Sequence, residues 1–195
     1  MSLSVPWLPE VDALLLCASP RAQNGDKGLR AYAGEAVVMH TYARLLEQSC
    51  PVSKTYVSSN GQHERYRALG FLPLADNYAD WPGALAAIEA ALSVSEAECL
   101  LVLPCDMGEL PLDAIAKLWR PLALSDAAYT YAVCEGSVLS GVCLLTHRLL
   151  PRLRRRLQAA RVDLVDWLQE PGGVAVPFSD GAAFCPLGTT ANSFA

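Results

Sequence analysis

Two short, continuous apolar runs, Ala13-Leu-Leu-Leu-Cys17 and Cys99-Leu-Leu-Val-Leu103, constrain this chain most. Each is strand-length and ends in a polar turn, the pattern of a strand buried on both faces of a parallel sheet. Segments of helical spacing stand between such runs. Val37, Val38, Thr41, Leu45 and Leu46 mark a helix over Ala36 to Gln48, followed by a strand at Thr55–Ser59. A short helix, Gln62 to Leu69, leads to a brief strand, Phe71–Leu74, that ends at Ala75-Asp76. An alanine-rich helix, Gly83 to Leu92, precedes the second apolar run, and a helix over Leu112 to Trp119 follows it. Ala127–Val133 and Val138–Thr146 read as two strands of a hairpin separated by Glu135-Gly136. Helices at His147–Ala160 and Leu164–Gln169 and a late strand at Val174–Phe178 complete the pattern. This alternation predicts an α/β fold with a doubly wound, mainly parallel sheet.

The 195 residues suit one domain spanning 1–195. With 52% hydrophobic and 18% charged residues the chain has a rich core. No apolar run approaches the roughly 18–20 residues that cross a bilayer, and the N-terminal stretch lacks a signal peptide's basic and apolar regions. The expectation is a cytoplasmic protein with no membrane partner. Seven scattered cysteines without a C-x-x-C pair read as small buried apolar residues, not a disulfide framework. His40, His63 and His147 lie too far apart in sequence for zinc-site spacing. A net charge of −5 speaks against a nucleic-acid surface. The one basic cluster, Arg152 and Arg154 to Arg156 with Arg161, is either a solvated helix end or a small anion-binding patch.

The chemistry-bearing residues collect at strand ends. Pro104-Cys105-Asp106 closes the second apolar run, and a helix start follows at Pro111. Ligands of open α/β sheets bind outside the carboxyl ends of the strands. A carboxylate there can hold a divalent metal carrying phosphate oxygens, although Asp is also a common turn or cap residue. Asn60 and Asp76 each follow a strand as well, and Lys27 lies in the loop after the first. A parallel sheet brings all four to one edge. Trp7, Trp81, Trp119 and Trp167 read as core residues, Asp113 as a helix-start charge, and Asp26 as a hydrogen-bond acceptor for its own loop.

These positions, in this order, resemble the MobA-like molybdenum cofactor nucleotidyltransferase family (molybdopterin-guanine dinucleotide synthase). Gly25-Asp26-Lys27-Gly28-Leu29 is similar to the end of the family's first loop, L-A-G-G-x-x-x-R-M-G-x-D-K. Ser58-Ser-Asn60 is similar to its strand ending in Ser-Asn. Asp76 stands where the family has an aspartate before G-P-L-A-G-I, here Gly83-Ala-Leu-Ala-Ala-Ile88. Leu103-Pro-Cys-Asp106-Met107 is close to L-x-C-D-M-P, and Val162-Asp-Leu-Val-Asp-Trp167 looks like the helix after the basic segment. The resemblance implies a Rossmann-like fold of the nucleotide-diphospho-sugar transferase type. It also implies Mg²⁺-dependent transfer of a nucleoside monophosphate, GMP from GTP or CMP from CTP, to molybdopterin. By this resemblance Lys27 neutralises the nucleotide phosphates, Asp106 holds Mg²⁺, and Asn60 and Asp76 contact base or sugar. Cys17, Ala18 and Ser19 occupy the start of the nucleotide loop.

The chain departs from the family's pattern at three places. Cys17-Ala-Ser-Pro20 replaces L-A-G-G, so a residue without an N–H stands in the phosphate loop. Phe184-Cys-Pro186-Leu-Gly188 replaces F-x-N-x-N, and Met107-Gly108 replaces M-P. Lost backbone donors weaken triphosphate binding. The alternative reading is therefore a catalytically impaired homologue that binds the cofactor or partner proteins in molybdoenzyme maturation. A transferase for sugar phosphates ranks last, because the chain leaves little room for sugar-binding elements.

Overall fold

The periodicity of the two apolar runs decides the layering. Along Val11–Leu16 and Cys99–Pro104 successive side chains point to opposite faces of the sheet. Val11, Ala13, Leu15, Cys99, Leu101 and Leu103 enter one core, and Leu14, Leu100 and Val102 enter the other. Both faces are covered, so the strands are apolar except for the buried Asp12, whose carboxylate accepts from Lys54 N–H and Ser95 Oγ.

The computed structural model describes residues 8–18, 26–78 and 83–187. In chain order the elements are β1 (Val11–Leu16), β2 (Ala31–Tyr32), β3 (Glu35–Ala36), α1 (Val37–Leu46), β4 (Val52–Ser58), α2 (His63–Ala68) and β5 (Leu72–Leu74). There follow α3 (Ala84–Val94), β6 (Cys99–Pro104), α4 (Ala114–Ala123), β7 (Tyr129–Cys134), β8 (Ser137–Thr146), α5 (Leu150–Gln158), α6 (Leu164–Leu168) and β9 (Gly173–Pro177). Among the described residues the main sheet has seven strands in the order β5-β4-β1-β6-β8-β7-β9. Only β8 runs antiparallel to its neighbours. The other pairings are parallel.

The expected mainly parallel, doubly wound sheet is therefore present, hairpin included. Glu135 and Gly136 turn β7 into β8 with φ of 49° and 79°. That left-handed pair suits a two-residue hairpin turn, and the glycine adopts it without steric cost. The β2–β3 ribbon is additional to the expected elements. Its strands have two residues each, too few for periodicity to show. The expected helix at His147–Ala160 begins instead with a 3-10 turn, and its α-helical part is Leu150–Gln158.

The basic cluster belongs to the fold. Arg154 Nε donates to the buried Glu89 at 2.7 Å, and Arg152 to Glu170 at 2.6 Å. Arg156 is buried and pairs with both Asp166 and Glu170, and Arg161 joins the same carboxylates. These four guanidinium groups are ion-paired, so they do not form an open anion patch, while Arg154, Arg155 and Arg161 stay exposed at the helix end as the solvated reading expected. Trp119 and Trp167 are core residues, as expected. Trp7 and Trp81 lie outside the described residues.

The strand order also places the binding crevice. From β1 the chain moves outward to β4 and β5, then returns to β6 on the other side of β1. The carboxyl ends of β1 and β6 thus flank the switch point where doubly wound sheets take ligands.

Candidate active site

The loop after β1 returns to the end of that strand. Lys27 N–H donates to Cys17 O at 3.0 Å, which anchors a 3-10 turn over Lys27–Leu29 at the sheet edge. Because β1 and β6 are neighbours in register, Leu16 opposite Pro104, the anchored Lys27 stands beside Asp106. Its Nζ lies 2.6 Å from Asp106 Oδ2.

Asp106 is held from both sides through its backbone. Leu187 N–H donates to Asp106 O at 2.8 Å, and the next residue, Met107, donates its N–H to Thr41 Oγ1 on α1 at 2.9 Å. Pro186 forms a bridge with Met107. The Asp106 side chain is almost wholly buried, and among the described residues neither carboxylate oxygen accepts a hydrogen bond of ordinary geometry. Lys27 is therefore its counter-ion, and among the described residues Oδ1 has no partner. Such an acceptor is costly unless a further cation or donor completes it.

The strand-end N–H groups have a different use. Cys17 and Ala18 both donate to Ser58 Oγ, at 2.9 and 3.1 Å, so one hydroxyl from β4 satisfies both donors. Ser59 Oγ donates to Asp26 Oδ2 at 2.6 Å and accepts from Gln62 N–H, which ties the first loop to the second. Asp26 thus serves its own loop region. Ser58 and Ser59 were legible only as neighbours of Asn60; their couplings follow from the β1–β4 register.

Asn60 and Asp76 meet as a reciprocal pair. The Asn60 amide Nδ2 donates to Asp76 Oδ2 at 3.1 Å, and its Oδ1 accepts from Asp76 N–H at 3.0 Å. Burial pushes the Asp76 carboxyl above its ordinary value, while the Asn60 bond pulls it down. Two couples result, Lys27 with Asp106 and Asn60 with Asp76. Ser19 lies outside the described residues, as do Pro20 and Gly188.

Gly28 is a further determinant. A Cβ there would stand 2.8 Å from both Cys17 Sγ and Tyr66 Oη. The residue after Lys27 must be glycine for the turn to lie this close to the core. Burial pushes the Cys17 thiol upward, with contributions from Cys105 beside it, so the Cys17 thiol is not poised as a nucleophile.

The MobA-like NTP transferase domain matches residues 13–174, a span that includes every one of these couplings except the Pro186–Leu187 contacts. The chain belongs to the MobA-like NTP transferase family. A molybdenum cofactor guanylyltransferase of Bordetella petrii is 32% identical over 188 residues, covering 93% of this chain and 94% of that protein. One of Shewanella baltica is 29% identical over 173 residues, covering 88% and 87%. The fold matches the crystal structure of molybdopterin-guanine dinucleotide biosynthesis protein A from Archaeoglobus fulgidus. That match has a TM-score of 0.66 at 13% identity and covers 86% of this chain and 83% of the other.

Within this MobA-like frame the fit of a divalent metal can be tested on the residues themselves. Among the described residues no group of three His, Cys, Asp or Glu side chains gathers, so no all-protein cage exists. Mg²⁺ does not require one: it is commonly held by one or two carboxylates with substrate phosphates and water. The unpartnered, buried Asp106 oxygen beside an ammonium group fits that pattern. Among the described residues no helix is long and apolar enough to cross a membrane.

Proposed function

We propose that this chain transfers a nucleoside monophosphate to molybdopterin, with GTP as the donor. The observation that carries this reading is the Lys27–Asp106 couple at the switch point, with one buried carboxylate oxygen unpartnered. The names of the relatives support guanylyl transfer in molybdenum cofactor synthesis.

The reaction asks little covalent chemistry of the protein. A phosphate oxygen of the acceptor attacks the α-phosphorus, the bond to the β-phosphate oxygen breaks, and pyrophosphate leaves. Positioning and charge neutralisation carry such a step. Lys27 neutralises phosphate charge as a mobile ammonium group that turns from Asp106 toward the nucleotide. Asp106 is the residue that would hold Mg²⁺, since its buried carboxylate is not otherwise hydrogen-bonded among the described residues. When bound, that ion neutralises charge on the triphosphate and on the departing pyrophosphate. Asn60 orients Asp76, whose second oxygen accepts no hydrogen bond among the described residues and can take a ribose hydroxyl or a base N–H.

The test is pyrophosphate release by the purified chain from GTP, and in parallel CTP, with molybdopterin and Mg²⁺. GTP-dependent release that chelation stops and Asp106→Ala abolishes is expected. Faster release from CTP reassigns the base, and release unchanged in Asp106→Ala overturns the mechanism.

One observation favours a second reading, a binding homologue in molybdoenzyme maturation. The Cys17 and Ala18 N–H groups are already taken by Ser58. Calorimetry separates the two: micromolar binding of either nucleotide tells against a nucleotide-free adaptor.

A further inference from the structure

Helix α3 is apolar along nearly its whole length, and Leu85 to Leu92 are all buried in it. Glu89 is the one charged residue of its sequence, and it is buried with the rest. A glutamate is almost never found so deep unless it is paired. Burial alone would raise its carboxyl, but donors from Asn77, Arg154 and Ser93 bring the net value below the ordinary 4.5. Glu89 is therefore a charged acceptor at neutral pH.

Its two oxygens are used differently. Oε1 accepts from Arg154 Nε at 2.7 Å, with Ser93 Oγ 3.1 Å away, and Arg154 Nη2 also donates to Ser93 Oγ at 3.0 Å. That side ties α5 to α3 and would be complete without the other oxygen. Oε2 turns away from α5 and accepts from Asn77 Nδ2 at 2.8 Å. A carboxylate only accepts, so it fixes which end of the Asn77 amide faces it. Asn77 is exposed, and water could have satisfied its amide. The bond to Glu89 instead pins the backbone of the loop after β5 to the helix.

The residue before Asn77 is Asp76, and the two consecutive side chains are held by different elements. Asp76 is bonded in both directions to Asn60, which follows β4, while Asn77 is bonded to α3. The peptide between them is clamped from two sides. The Asp76 carboxylate is thereby set in one orientation at the edge of the sheet. Glu89 touches neither Asn60 nor Asp76 in these bonds, so it acts on them only through Asn77.

We propose that Glu89 is a positioning residue for nucleotide binding, holding Asp76 through Asn77 so that the nucleoside's hydroxyl or N–H groups meet a preset carboxylate. A preorganised acceptor binds more tightly because its ordering cost is met by the fold before the ligand arrives. Naming the ligand as a nucleotide rests on the nucleotidyl-transfer reading; the coupling of Glu89 to Asp76 rests on the bonds alone.

The experiment is amide hydrogen exchange of the full chain by NMR, alongside calorimetry with GTP and Mg²⁺. The Asp76 N–H, donated to Asn60 Oδ1, reports the clamp, and the Leu101 N–H in β6 reports the fold. Asn77→Ala is expected to speed exchange at Asp76 about tenfold, to leave Leu101 unchanged and to raise the GTP Kd by a similar factor. Asn77→Asp sets two carboxylates against each other and is expected to exceed that effect. Adding Glu89→Gln to it restores an amide-to-carboxylate bond in the reverse direction and is expected to return both readouts toward wild type.

Thr130→Val is the structural comparison, because it loses the buried bond from Thr130 Oγ1 to Leu118 O on β7, across the sheet from β5. It should lower overall stability and leave both Asp76 exchange and the GTP Kd as they were. In turnover assays Asn77→Ala raises the GTP KM and spares kcat and the molybdopterin KM. Unchanged exchange at Asp76 in Asn77→Ala, or no rescue by the folded double variant, overturns the proposal. Faster exchange with an unchanged GTP Kd shows that the clamp serves only the fold and also overturns it. If the wild type binds neither GTP nor CTP, the transfer reading falls, and the exchange rates still decide whether Glu89 holds Asp76.

Discussion

Lys27 Nζ and Asp106 Oδ2 stand 2.6 Å apart, yet the Lys27 side chain is 38% exposed and that of Asp106 only 1%. The pair is therefore unequal. Asp106 bears the desolvation, and Lys27 can leave for a ligand without becoming buried and unpaired. A carboxylate kept dry with a single mobile counter-ion costs stability, and a site that must receive a cation has reason to keep it.

That imbalance predicts opposite effects on stability and activity. Asp106→Asn removes a buried charge at nearly constant volume, so its melting temperature is expected to equal or exceed that of the wild type. Its nucleotidyl transfer should fall by about 10²–10³-fold. Lys27→Met leaves Asp106 uncompensated and is expected to lose about 1–3 kcal/mol, discounted for the exposure of the lysine. Thermal melts alongside a pyrophosphate assay check both; a destabilised Asp106→Asn would show that the carboxylate serves the fold.

At Gly28 the constraint is space. A methyl group there meets Cys17 Sγ and Tyr66 Oη at 2.8 Å, beneath the turn that carries Lys27. Gly28→Ala is expected to cost about 1–3 kcal/mol and to lower activity by displacing the lysine. Gly61→Ala, with nothing within 4 Å of its added Cβ, serves as the comparison and should stay within about 0.5 kcal/mol of wild type. Denaturant unfolding of the two variants is the measurement.

Asp76 makes stability depend on pH in a definite direction. Burial raises its carboxyl above the ordinary 3.8, the Asn60 bond opposing. The native state then holds the proton to higher pH than the unfolded chain, so this group's contribution to stability declines as pH rises from 3.8 through the raised value. Asp76→Asn abolishes the decline. Relative to wild type, the variant should gain melting temperature between about pH 3.5 and pH 7, while its discrimination between nucleotides weakens. A variant that loses ground over that interval would mean that Asn60 prefers the ionised partner.

Glu89 works with the opposite sign. Burial alone would push its carboxyl up, but hydrogen bonds from Asn77, Arg154 and Ser93 outweigh it and bring the net value below the ordinary 4.5. The stabilisation is present above 4.5 and is lost as pH falls through the lowered value. Since Asn77 Nδ2 reaches Glu89 at 2.8 Å, this carboxylate also holds the residue next to Asp76. Glu89→Gln is expected to cost about 1–3 kcal/mol at neutral pH and to flatten the acid limb of the stability profile. Melts from about pH 7 to about pH 3 show whether the limb belongs to this residue.

Much of the fold was legible because burial and periodicity are local signals. A strand covered on both faces must be apolar at every position, and Ala13–Cys17 and Cys99–Leu103 show it. The Glu135-Gly136 turn, the helix over Val37–Leu46 and the strand-end positions of Asn60, Asp76 and Asp106 were readable for similar reasons. The β2–β3 ribbon was not, since two residues per strand carry no period. The helix from Ala114 begins two residues later than its spacing suggested and continues past Pro121 to Ala123. The basic cluster showed its charge but not its partners, which come from α3, α6 and the turn after it.

The order of residues along the chain determined which elements form and which polar groups finish the strands, because propensity and alternation act over a few neighbours. It also carried the family resemblance through Lys27, Asn60, Asp76 and Asp106. Only the tertiary structure decided that Lys27 is Asp106's counter-ion, that Asn60 is spent on Asp76, that Ser58 takes the Cys17 and Ala18 N–H groups, and that Leu187 seats over Gly108. Each of these couplings joins segments far apart in sequence. The first three arise when parallel strands align their carboxyl ends in register, and the last when the segment after Phe184 packs back on the loop after β6.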